Sequence, residues 1–129
     1  MDIFEQLLKK AKETRENAYA PYSQYKVGAA IYSENNKIYT GCNVENVSFP
    51  CGTCAEAGAI AEMIAHGDKK IKAILVMAQG KNLVYPCGAC LQRIAEFSTK
   101  ETKIYLTDGK KNKEYTLKDL LPYAFKEDI

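Results

Sequence analysis

The sequence predicts an α/β fold in which a sheet of five strands carries helices on its faces. Three observations lead there. The N-terminus shows an amphipathic helical stripe, and two β-rich runs then flank an Asn-Asn turn. Through the middle of the chain, short apolar runs alternate with helical segments. The resulting order is α-β-β-α-β-α-β-β with a short late helix.

Each element has its own signal. Apolar residues Ile3, Phe4, Leu7, Leu8 and Ala11 recur at helical spacing, predicting a helix over about 3–18 that Pro21 stops. Residues 25–32 and 37–44 are rich in β-branched and aromatic side chains around Ser33-Glu34-Asn35-Asn36, the pattern of a β-hairpin. A loop with Pro50 and Gly52 leads to Cys54, after which an alanine-rich helix runs to near Gly67. Residues 71–78 (IKAILVMA) form a nearly continuous apolar run, as a central strand buried on both faces requires. A second loop precedes Cys87, and residues 88–97 form the next helix. Residues 103–107 read as a buried strand, Asp108-Gly109 as a turn, 114–116 as a short strand and 117–121 as a last helical turn before Pro122. No repeat, low-complexity tract or linker interrupts the chain, so residues 1–129 are expected to form one domain.

Composition bounds the function. A length of 129 residues suits one core, and 47% hydrophobic with 26% charged residues is ordinary for a globular protein. The 18 basic and 16 acidic residues leave a net charge of +2, no footprint for a phosphate backbone, so nucleic-acid polymers are not expected partners. The first 17 residues are charged and amphipathic without an apolar h-region, and no run approaches the roughly 20 apolar residues of a membrane span. The expected location is the cytoplasm, where five cysteines point to metal binding or catalysis before disulfides. With His66 the single histidine, metal chemistry has to lean on cysteine and carboxylate.

The cysteines fall at 42, 51, 54, 87 and 90. Cys54-Ala55-Glu56 and Pro86-Cys87-Gly88-Ala89-Cys90 each occur where a loop enters a predicted helix. A helix N-terminus presents unpaired N–H groups and a partial positive charge, which favour thiolate over thiol. Cys54, Cys87 and Cys90 can thus supply three corners of a tetrahedron, with the fourth left to water as in a catalytic zinc site. Residues at i and i+2 within a helix diverge, so Glu56 converges with Cys54 only if Cys54 lies at the cap and Glu56 in the first turn. The carboxylate then stands where it can take a proton from a metal-activated water and return it to a substrate nitrogen.

These two motifs together resemble the zinc-deaminase signature, in the variant where cysteine replaces the first histidine. The wider chain, from about residue 20 to 125, is similar to the small homotetrameric zinc-dependent cytidine deaminases. Tyr22-Ser23-Gln24-Tyr25-Lys26-Val27-Gly28-Ala29-Ala30 resembles their first hairpin strand. Gly41-Cys42-Asn43-Val44-Glu45-Asn46 resembles their ribose-binding strand, and Leu120-Leu121-Pro122-Tyr123-Ala124-Phe125 their C-terminal tail. The resemblance implies a mixed five-stranded sheet flanked by helices, one Zn²⁺ per subunit, and a homotetramer. It implies hydrolytic deamination of cytidine and deoxycytidine to uridine and deoxyuridine in pyrimidine salvage, by zinc-bound hydroxide with Glu56 as proton shuttle. It further implies that Asn43 and Glu45 bond the ribose hydroxyls and that Tyr25 is an aromatic wall. The Ala55 N–H would hold the base carbonyl, the Pro86 carbonyl would face the departing ammonia, and Phe125 would reach a neighbouring subunit's site. Cytidine, deoxycytidine and base-modified analogues all remain compatible, and blasticidin deaminases share the zinc motif.

One departure stands out. Many relatives carry an arginine directly after the catalytic glutamate, where it bonds the metal thiolates; this chain has Ala57. Three thiolates on Zn²⁺ leave a net −1 site, to be offset by the two helix dipoles or by another cation, for which Arg93 is a candidate because Cys90-Leu91-Gln92-Arg93 stands where many relatives have Cys-Arg-Gln. Other readings of the same residues stand beside these. Cys51, Cys54, Cys87 and Cys90 have the C-x₂-C spacing of a structural Cys₄ zinc module, although a predicted helix and strand separate the pairs. Cys87-x-x-Cys90 alone resembles a redox motif. Cys42 reads as a small buried hydrophobe and Cys51 as a loop thiol. His66, about 15 Å along the helix from Glu56, reads as a helix-end residue. From the residues alone, Asn43 and Glu45 are a solvated strand edge, and Tyr25 and Phe125 are core or interface aromatics.

Overall fold

The computed structural model describes residues 2–78, 80 and 82–126. The elements are α1 (Ile3–Arg15), β1 (Val27–Ser33), β2 (Ile38–Cys42), a 3₁₀ turn (Phe49–Cys51), α2 (Ala55–Ala65), β3 (Ile71–Ala78), α3 (Gly88–Phe97), β4 (Ser98–Thr107), β5 (Asn112–Thr116) and α4 (Leu117–Leu120). The order is the one the sequence predicts, with the 3₁₀ turn added.

The sheet runs β2-β1-β3-β4-β5. β1 is antiparallel to both β2 and β3, β3 is parallel to β4, and β4 is antiparallel to β5. α3 supplies the crossover that the parallel pair needs. The apolar run in β3 now has its reason. Ile74 and Val76 point to the face covered by α2 and α3, with Ala29, Ile31, Ile104 and Leu106. Ala73, Leu75 and Met77 point to the face covered by α1, with Leu7, Ala11 and Ala30. A strand covered on both sides cannot alternate in polarity.

Several boundaries differ from the sequence-based expectation, β1 (Val27–Ser33) and β2 (Ile38–Cys42) among them, and three further shifts have an evident cause. α1 begins as read, with the Asp2 carboxylate capping the Glu5 N–H at 2.8 Å. It ends at Arg15, ahead of residue 18, because tertiary pairing takes over. Tyr19 N–H bonds Asn43 O at 3.0 Å and Glu45 N–H bonds Tyr19 O at 2.8 Å, drawing the chain alongside the strand that follows β2. β4 begins at Ser98, ahead of residue 103, through a register irregularity opposite Ile71 and Ala73. There the buried Thr102 hydroxyl donates to Ile71 O at 2.5 Å and accepts from Thr99 N–H at 2.8 Å. β5 begins at Asn112, its polar and mostly exposed residues carrying no apolar signal.

Two devices place α2. A Cβ at Gly41 would collide with the Ala55 carbonyl and the Ala59 amide, so only glycine lets the first turns of α2 lie directly on β2. At the other end Gly67 adopts φ +91° and its N–H bonds Ile64 O at 3.0 Å, while Asp68 N–H returns to Met63 O at 3.1 Å. The buried Asp68 carboxylate accepts from Ser33 Oγ and Tyr39 OH, each at 2.7 Å, and from Asn35 Nδ2. The hairpin is thereby tied to the end of α2. Among the described residues no helix is long and apolar enough to cross a membrane.

Candidate active site

The N-termini of α2 and α3 converge. Cys54 is the N-cap of α2 (φ −86°, ψ 163°) and its side chain makes no cap hydrogen bond; Glu56 follows in the first turn. Cys87 is the N-cap of α3 (φ −70°, ψ 167°), and Cys90 lies in the first turn of that helix. Cap placement lets Cys54 and Glu56 turn the same way, as the spacing demands.

Ligand atoms of Cys54, Glu56 and Cys90 all lie within 4.8 Å of one another. The Cys54 and Cys90 sulfurs are in contact, yet their Cα atoms stand 7.7 Å apart. A cystine keeps Cα atoms within about 4.4–6.8 Å, so the separation argues for two close thiols that could share a metal ion. Soft sulfurs plus one carboxylate at two helix N-termini are a donor set suited to zinc. The Cys87 sulfur is exposed and lies outside this cluster, although its position three residues before Cys90 shares that helix face. Cys51 is exposed in the 3₁₀ turn, its sulfur 3.5 Å from Ser48 Oγ, and also stands apart. The structure therefore does not gather the four cysteines of a Cys₄ module. His66 caps α2, its Nδ1 2.9 Å from Glu62 O and its ring against Tyr39, away from the cluster.

Arg93 reaches the sulfurs. Its Nη1 lies 3.5 Å from Cys90 Sγ and 3.8 Å from Cys54 Sγ. One helical turn after Cys90, it sets its guanidinium against both sulfurs. Glu56 is 5% exposed; burial pushes its carboxyl up, while its own backbone N–H and the Arg93 charge pull it down.

A cleft of about 480 Å³ opens beside Cys54, lined among others by Tyr22, Asn43, Glu45, Phe49 and Thr53. That volume is within the usual range for a small-molecule site. Neither Asn43 nor Glu45 is a freely solvated strand edge. Asn43 Oδ1 accepts from Val27 N–H at 2.9 Å and its Nδ2 donates to Tyr25 O at 2.8 Å. Glu45 Oε1 accepts from the N–H groups of Tyr22 (3.0 Å) and Ser23 (3.1 Å), and Oε2 accepts from Ser23 Oγ. These bonds hold the Glu45 carboxyl below its ordinary range, the Ser23 hydroxyl contributing most.

A family model described as the cytidine and deoxycytidylate deaminase zinc-binding region matches residues 1–106. The chain belongs to this family. It is 44% identical to a cytidine deaminase of Sporosarcina psychrophila, over all of this chain and 96% of that one. With a cytidine deaminase of Halalkalibacterium halodurans it shares 41% identity, over 92% of this chain and 91% of the other. Among solved structures, a cytidine deaminase from Burkholderia pseudomallei superposes with a TM-score of 0.90 at 38% identity, covering 97% of this chain and all of that one. The mixed sheet flanked by helices is thus a cytidine deaminase fold.

Several site residues of this family member were hidden from sequence reading. Tyr22 and Phe49, packed edge to face at 5.9 Å, line the cleft although they come from separate loops. Tyr22 opens the segment that resembles the family's first hairpin strand but was assigned no role there, and Phe49 carried no signal beyond an apolar side chain in a loop. Tyr25, Pro86 and Phe125 do not line the cleft of the single chain. Tyr25 is half-buried near Gly80, Pro86 is buried ahead of α3, and Phe125 is exposed, its backbone held at both ends by Gln92.

Proposed function

We propose that the protein is a zinc-dependent hydrolase that deaminates cytidine-type nucleosides, with Cys54, Cys87 and Cys90 as the metal ligands and Glu56 as the proton carrier. The convergence of Cys54, Glu56 and Cys90 at two helix N-termini, beside a cleft that Asn43 and Glu45 share, carries this reading. The relatives named cytidine deaminase support the substrate class. The Cys87 sulfur lies outside that cluster, and its exposed N-cap position, three residues before Cys90, supports its assignment as the third sulfur ligand.

When bound there, zinc supplies a Lewis acid that makes a water reactive near neutral pH. Glu56 takes a proton from the attacking water and delivers it to the ring nitrogen beside the amine-bearing carbon. It then carries a second proton to the amino group, which leaves as ammonia, so that cytidine and water give uridine and ammonia. Burial keeps the carboxylate clear of bulk water while it shuttles. The Ala55 N–H, at the first helical position of α2, has no partner within its helix and suits the base carbonyl. Asn43 retains one amide hydrogen and Glu45 one lone pair for the sugar hydroxyls. Exposed Phe125 and Tyr123 support a role for the tail in contacts between copies of the homotetramer that the resemblance implies. A cytoplasmic role in pyrimidine salvage accords with the reduced thiols that this ligand set needs.

Ultraviolet absorbance and ammonia release, followed with cytidine, deoxycytidine and cytosine, test the proposal. Turnover of the nucleosides with little turnover of the free base is expected. Zinc-loaded protein that turns over neither nucleoside would refute it.

A further inference from the structure

We propose that Ser23 is a positioning residue for sugar recognition, holding the Glu45 carboxylate so that a single acceptor site is left for a substrate hydroxyl. The inference rests on the nucleoside reading above and adds a residue that it did not use. An ionised carboxylate offers about four lone-pair sites. Three are filled within the chain, two on Oε1 by the N–H groups of Tyr22 and Ser23 and one on Oε2 by the Ser23 hydroxyl. The remaining site is on Oε2, the oxygen whose orientation the Ser23 side chain sets.

The turn is built for this. Gln24 sits at φ +56°, a left-handed conformation unusual for a residue with a side chain, and its N–H closes on Ala20 O at 2.9 Å. The reversal leaves the Tyr22 and Ser23 N–H groups pointing the same way, a small backbone nest for an anion. Ser23 Oγ then works in both directions, accepting from Tyr25 N–H at 3.0 Å while giving its own proton to Glu45. Such a chain polarises each bond in it. The relay couples the strand carrying Glu45 to the segment that leads through Tyr25 into β1. Among the described residues the clamp's hydrogen bonds join Tyr22, Ser23, Tyr25 and Glu45 and none runs to Cys54, Glu56, Cys90 or Arg93, so it can govern sugar binding without taking part in the chemistry.

Removing the hydroxyl frees the carboxylate to rotate and costs the substrate an oriented acceptor. Ser23→Ala is expected to raise the KM for cytidine about tenfold, the scale of one hydrogen bond to a charged group, with kcat within about twofold. Zinc content should stay at the wild-type value. Ser23→Thr and Ser23→Val, nearly equal in shape, isolate the hydroxyl: threonine should keep the wild-type KM and valine should not. In a Glu45→Gln background the Ser23→Ala effect should shrink to near nothing, because the two residues act as one unit. An unchanged KM in Ser23→Ala, equal KM values for the threonine and valine variants, or an undiminished effect in the Glu45→Gln background would overturn the proposal. Each of these outcomes presupposes nucleoside turnover by the wild type, so failure of the deaminase reading is recognised separately.

Discussion

Arg93→Ala probes the charge balance at the thiolates. The loaded site would carry three thiolates on one dication, a net charge of −1. A cation beside the sulfurs stabilises the loaded form over the empty one, so its removal weakens zinc binding. Arg93 Nη1 stands 3.5 Å and 3.8 Å from the two sulfurs. A pair at about 4 Å is worth about 4 kcal/mol at an effective dielectric constant of about 20. The Arg93 side chain is exposed, and solvent screening reduces that figure toward about 1.5–3 kcal/mol, the scale of a hydrogen bond to a charged group. Zinc affinity should therefore fall about 10–100-fold, as for other groups that support metal ligands. Competition against a chelator of known affinity, at fixed pH, measures it. Arg93→Lys, which keeps the charge and loses the planar fork, should fall between the two. Unchanged zinc affinity in Arg93→Ala would refute this account of how the chain tolerates Ala57.

Other expectations follow from the fold and the site. Gly41→Ala should destabilise the protein by about 1–3 kcal/mol or more, because the new methyl meets α2 backbone at Ala55 and Ala59; wild-type unfolding in denaturant would contradict that packing. Cys51→Ser should retain zinc and activity, whereas loss of the metal would revive the four-cysteine module. Stability should decline at both ends of the pH scale through one buried pair. The Tyr39 hydroxyl, then Ser33 and Asn35, hold Asp68 below its usual range, so that contribution is present above about pH 3.9 and lost as pH falls through the folded value. The Asp68 hydrogen bond, then burial, push Tyr39 up to about 12, so its contribution is present below about pH 10 and lost as pH rises toward 12. Tyr39→Phe should flatten the alkaline fall of the thermal midpoint relative to wild type, and an unaltered slope would count against the pair.

Legibility in the sequence followed the source of each element's stability. β3 and α3 were read to the residue because their own apolar patterns bury them. The end of α1 and the start of β4 were not, since a bridge from Tyr19 to Val44 and a threonine bonded to Ile71 decide them, and neither is local. Cys54 and Cys87 as helix caps were legible from loop-to-helix transitions. The two motifs predicted that Cys54 and Cys90 meet; what no spacing could give was that Cys87 stands outside their cluster, or the cleft walls at Tyr22 and Phe49, which depend on how separate loops pack. Arg93 was readable as a candidate through the resemblance, since Cys90-Leu91-Gln92-Arg93 stands where many relatives have Cys-Arg-Gln; its contact with Cys54, on another helix, was not readable. The roles of Asn43 and Glu45 came from resemblance, and the structure adds how each is pinned.

The central claim is that Glu56 moves protons at a metal held by cysteines. Glu56→Gln tests it most directly, with zinc content and cytidine turnover measured on the same preparation. The account predicts full zinc occupancy and a fall in kcat of about 10²–10⁴-fold. A Glu56→Gln protein that turns cytidine over at the wild-type rate would contradict it.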